Sequence, residues 1–139
     1  MIFEHKGVAI LAHPKRKSAM NDFRLSWGEV LLGVEIWNRK EDGWTFSQEA
    51  LKLMKENGLV PFVGLDFHNT RQVFPFWINI KTEYPLRQEH ILLSLRNGDA
   101  TPIILGIPIK WILNKYFINI TIIAEKFRRY AAKMRNRCL

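Results

Sequence analysis

Cysteine is nearly absent: the one thiol in 139 residues is Cys138, beside the C-terminus. No internal disulfide framework can form, which fits a reducing, cytoplasmic setting. The opening residues Met1-Ile2-Phe3-Glu4-His5-Lys6-Gly7 lack the charged-then-apolar layout of a secretory leader. A glycine-rich phosphate loop of the P-loop kind is missing, a serine triad is unsupported, and there is no internal repeat or low-complexity tract. Long uninterrupted apolar runs are missing too. Residues 103–124 come nearest, but Lys110, Asn114, Lys115 and Asn119 interrupt them and Pro108 stands near their start. A charged group at a bilayer centre costs roughly 2.5–3.5 kcal/mol on insertion scales. An amphipathic helix packed on the domain or on a partner is therefore expected in place of a membrane span.

Charge is present but unevenly placed. Residues 1–109 carry 13 basic and 12 acidic groups, whereas residues 110–139 carry eight basic groups and Glu125 alone. The chain reads as a near-neutral body, residues 1–102, followed by a basic amphipathic tail, residues 103–139. The tail could meet an anionic membrane surface through residues 109–137; nucleic acid is the weaker partner, since the charge does not spread over the body.

Hydrophobic patterning outlines the body. Gly7 to Ala12, Gly33 to Trp37 and Val60 to Leu65 are short apolar runs of the kind that form buried parallel strands. Helical spacing over Met20 to Leu32, a Ser47 N-cap ahead of Ala50, Leu51, Leu53 and Met54, and a helix over Leu86 to Arg96 supply the crossovers. Asn57-Gly58 and Asn97-Gly98 are stop signals. The apolar, aromatic segment 70–80 reads as a short helix or ordered loop because Pro75 interrupts it. Residues 101–108, with two prolines, read as an edge strand or linker. From Ile109 to Met134 apolar residues recur every three to four positions, which predicts one long helix. The strand–helix alternation predicts an α/β fold built on a parallel sheet.

Three residues at the ends of these runs have metal-binding chemistry. His13 follows the first run, and Asp66 and His68 follow the third. The tips of parallel strands are where α/β enzymes keep their ligands. Each residue also has an ordinary explanation. His13 could bond backbone at a strand end, Asp66 could cap the next helix and His68 could be solvated. Glu35, flanked by Val34 and Ile36, reads either as a solvated alternation or as a residue facing the same mouth. Trp27, Trp37, Trp44 and Trp77 are expected in the core.

The ordered set resembles a known family. Gly7-Val8-Ala9-Ile10-Leu11-Ala12-His13-Pro14, Gly33-Val34-Glu35-Ile36-Trp37-Asn38 and Gly64-Leu65-Asp66-Phe67-His68 are similar to successive strands in the later half of PHP (polymerase and histidinol phosphatase) domains, over about residues 6–99. The resemblance implies part of a distorted (β/α)7 barrel that hydrolyses phosphate esters with bound zinc, manganese or iron. It makes His13, Asp66 and His68 metal ligands, gives Glu35 a supporting or substrate-side role and makes Arg71 a phosphate contact. The family's opening His-x-His pair and its further ligands do not appear before His13. The resemblance therefore implies an incomplete site, finished by a chain supplying the first half or by a second copy. The alternative is a non-catalytic, PHP-derived module that acts through its basic helix on a membrane, a protein or nucleic acid.

Overall fold

Gly33–Asn38 is the strand around which the rest is arranged, and all six of its residues are buried. The computed structural model describes residues 7–16, 30–70 and 73–135. In it the short strand β1 (Ile10–Leu11) and β3 (Val60–Gly64) pair in parallel on either side of β2 (Gly33–Asn38), giving the order β1-β2-β3. The loop expected after β2 instead contains a helical turn, α1 (Arg39–Asp42). It forms because Asn38 Oδ1 accepts the N–H groups of Lys40 and Glu41, while Asp42 Oδ2 accepts the N–H of Asn38. This reciprocal arrangement satisfies donors that a helix start leaves open.

Helix α2 (Gln48–Asn57) forms as the sequence predicts. Ser47 Oγ accepts the Ala50 N–H, and Ala50, Leu51 and Leu53 are buried against β2. The expected helix over 20–32 falls almost entirely outside the described residues.

Segment 70–80 differs from the expected helix or loop. Phe76–Ile80 is a strand, β4, antiparallel to β5 (Ala100–Ile104), which pairs with the short β6 (Ile107–Pro108). Between them lies α3 (Gln88–Arg96). Strand β5 is central, and Pro102 is tolerated there because β6 reaches only Ile103 and Ile104. The two sheets meet through an aromatic cluster in which the Trp37 ring lies 4.7 Å from Phe46 and 4.8 Å from Phe76. The result is a mixed α/β fold with one parallel and one antiparallel sheet, and the described strands close no barrel. Trp37 is buried as expected, but Trp44 and Trp77 are about half exposed, at 50% and 48%.

The C-terminal stretch is not one helix. Ile109 and Ile112 belong to a turn, α4 (Ile109–Ile112), and are buried in the main core. The chain breaks at Leu113 and Asn114, and Asn114 Oδ1 accepts the Phe117 N–H to start α5 (Lys115–Arg135). The body/tail boundary expected at 102/103 thus falls inside β5. Helix α5 docks by the face that carries Thr121 and Glu125, both buried, and Ile118, which packs against the main core. Its apolar stripe faces outward, with Tyr116 82%, Ile120 61%, Phe127 70% and Tyr130 64% exposed. No helix among the described residues is long and apolar enough to cross a membrane.

Candidate functional site

Parallel pairing sends the C-terminal ends of β1, β2 and β3 to one rim, and His13, Glu35, Asn38 and Asp66 lie at it. The Glu35 carboxylate is the centre of this group. Its Oε2 accepts the backbone N–H of His13 at 2.8 Å, meets His13 Nδ1 at 2.7 Å and accepts Asn38 Nδ2 at 3.1 Å. Asn38 Nδ2 also lies 2.8 Å from His13 Nδ1. Asn38 Oδ1 is committed to α1, so Nδ2 is the amide nitrogen and a donor. The Glu35 carboxylate calls for a proton on Nδ1 and the Asn38 amide for a lone pair there, so both side chains position the ring through this one nitrogen. A carboxylate bonded to one ring nitrogen of a histidine is the usual support for a metal-binding imidazole. Glu35 therefore turns toward His13 instead of being a solvated alternation.

Backbone strain marks the same two strand tips. His13 (φ 48°) and Asp66 (φ 50°) both occupy the left-handed region, which costs a non-glycine residue roughly 1–2 kcal/mol. Gly64 shows how tightly the rim is built: a Cβ there would sit 1.8 Å from Glu35 Oε1. Glycine is required for the carboxylate to cross β3 at this point.

Each rim acid has a basic neighbour. Lys40 Nζ lies 3.2 Å from Asp66 Oδ2, and Lys15 Nζ lies 3.6 Å from Asp42 Oδ1. Both oxygens are buried, and neither has an aligned hydrogen bond among the described residues. Burial works to raise the Asp66 carboxyl, but the Lys40 ammonium, and then His13 and His68, outweigh it and hold it below the usual carboxylate range. Burial pushes Asp42 up to about 6, against the Asn38 N–H and Lys15, with the Glu35 charge adding to the rise. His68 Nδ1 lies 2.6 Å from the Asp66 carbonyl oxygen and 3.4 Å from Asp66 Oδ1.

His13, Asp66 and His68 thus belong to one rim, and their donor chemistry suits a divalent metal. They present donors without gathering them, however: among the described residues no three His, Cys, Asp or Glu side chains form a group that could hold an ion. Arg71 lies outside the described residues. No family model, curated protein or solved structure matches the chain. The site therefore rests on its own geometry. Sequence reasoning did not single out Asn38, Lys40 or Asp42; the available signal was an asparagine closing an apolar strand four residues before an aspartate.

A second polar cluster ties α5 to this end of the sheet. Glu125 accepts the Trp44 N–H at 3.0 Å, Arg128 through two nitrogens at 2.8 Å each, and Arg129 Nε at 2.6 Å. The Arg128 hydrogen bonds, with help from Arg129 and Trp44, overcome burial and lower its carboxyl to about 2.

Proposed function

We propose that this chain carries the later strands of a PHP-type barrel, a distorted (β/α)7 architecture, and takes part in metal-dependent hydrolysis of phosphate esters. The observation that supports the reading is the placement of His13, Asp66 and His68 on one rim of the parallel sheet, with the His13 ring held by Glu35. His13, Asp66 and His68 would hold zinc, manganese or iron. The ion, when bound, polarises a phosphoryl oxygen and supplies hydroxide at neutral pH. Glu35 would hold the His13 ring in place through Nδ1. Lys40 neutralises Asp66 until a stronger cation displaces it, and Arg71 would steady the phosphoryl charge. Donors beyond these three would come from a chain bearing the other part of the barrel or from a second copy.

The test is hydrolysis of p-nitrophenyl phosphate with added manganese or zinc. The wild type should exceed the free-metal blank, and His13→Ala and Asp66→Asn should each lower the rate about 10- to 100-fold. Equal rates in all three proteins, or no rate above the blank, would count against the reading.

The outward stripe of α5 favours a second reading, peripheral contact with an anionic membrane. The stripe is flanked by Lys126 and Lys133 on one margin and by Arg128 and Arg135 on the other, an arrangement suited to the headgroup boundary. Co-sedimentation with phosphatidylglycerol vesicles should be lost in Phe127→Glu and weaken with salt. If the wild type stays in the supernatant at low salt, this reading fails.

A further inference from the structure

Beside the rim, α1, the β3–β4 connection and α5 enclose a cleft of about 290 Å³ whose wall includes Arg39, Lys40, Glu41, Phe74, Arg128 and Arg129. Four of these residues are cations and one is an acid. Their existing partners do not use up the positive charge. Lys40 is committed to Asp66. Glu125 is one carboxylate shared by two arginines. Arg128 gives it Nε and one terminal nitrogen, whereas Arg129 gives it Nε alone. Arg39 lies over two aromatic rings, with its guanidinium carbon 5.3 Å from the Phe74 centroid and 5.8 Å from that of Trp44. It has no carboxylate partner among the described residues.

We propose that this cleft binds a phosphate-type oxyanion carried on a small molecule, gripped by Arg39 from the α1 wall and by Arg128 and Arg129 from the α5 wall. Guanidinium forks present paired, planar donors that match such oxyanions. Glu125 holds two of the forks in place before any ligand arrives, so little side-chain freedom is lost on binding. The volume lies at the small end of ligand sites and suits one or two phosphoryl groups. Burial and the neighbouring Arg128 charge, against the pull of Glu125, lower the pKa of Arg39, so an added anion would be favoured there. The site needs no metal and no turnover, and it stands or falls separately from the hydrolytic reading.

The experiment is calorimetric titration of the full chain with pyrophosphate, at an ionic strength held constant with sodium chloride. One saturable site is expected. Arg39→Gln and Arg129→Gln should each bind at least tenfold more weakly, and Lys55→Gln, on the exposed side of α2, should bind as the wild type does. Arg39→Lys, which keeps the charge but loses the fork, should fall between, so a folding defect in one variant does not decide the outcome. Unchanged affinity in the glutamine variants, or no saturable heat in the wild type, overturns the proposal. A parallel arm uses phosphatidylglycerol vesicles. If Arg39→Gln weakens vesicle binding while pyrophosphate gives no saturable heat, the oxyanion is a lipid headgroup and the small-molecule site is overturned.

Discussion

Replacing Glu125 with alanine should destabilise the fold by about 1.5–3 kcal/mol, the range for hydrogen bonds to a charged group, since the two arginines that lose it are half exposed. The carboxylate receives the Trp44 N–H and the nitrogens of two arginines, and it is the main polar tie between α5 and the body. Its loss leaves the Trp44 N–H and two guanidinium groups without their acceptor. Gly43 should be almost as sensitive. Its φ of 72° is left-handed, and a Cβ would come 2.5 Å from Glu125 Oε1, so Gly43→Ala adds strain and pushes the carboxylate away. The pH dependence identifies the residue. The Glu125 carboxyl is lowered from 4.5 to about 2, so its stabilisation is complete above pH 4.5 and disappears as pH falls toward 2. Asp42 acts in the opposite sense. Its carboxyl is raised from 3.8 to about 6, so the fold gains stability as pH falls through that interval. Urea denaturation at several pH values should show an acid limb in the wild type that flattens in Glu125→Ala. A limb of equal depth in both proteins would contradict the assignment.

Glu35→Ala should cost about 2–3 kcal/mol, within the range for hydrogen bonds to a charged group plus buried donors left open. Its Oε2 serves the His13 N–H, the His13 ring and the Asn38 amide together. β1 pairs through only two residues, so this latch supplies much of what holds His13 at the rim. Gly64→Ala should resemble Glu35→Ala without touching a charge, because the added methyl occupies the space of Glu35 Oε1. In denaturant titrations both variants should unfold at lower urea than the wild type. Gly64→Ala behaving as the wild type would show that the carboxylate does not need its position over β3.

The parallel sheet was legible because each strand is a short apolar run, and pairing in parallel brings the residues that follow β1 and β3 to one rim. That placed His13 and Asp66 together before any geometry was available. Strand β4 was missed because Pro75 looked like a breaker inside an apolar stretch. The alternation across it, with Phe76 buried, Trp77 exposed, Ile78 partly buried and Asn79 exposed, carries the period of a half-buried strand. The orientation of α5 could not be read. Periodicity tells which residues share a face, not which face docks. The anchor that decides it, Glu125 with Trp44, joins residues 81 apart in the chain. The choice between the two readings of Glu35 could not be made for a related reason: its partner His13 arrives from a neighbouring strand, 22 residues earlier.

The central proposal is that residues 13, 66 and 68, which lie on one rim without forming an ion-holding group there, close on one cation when it is supplied. Titration with zinc, followed through the imidazole NMR signals of His13 and His68, tests it most directly. The expected result is that both rings respond with one midpoint, at lower zinc than His5 or His90, and that Asp66→Asn removes the response of both. Separate midpoints for His13 and His68, or an undiminished response in Asp66→Asn, would contradict it.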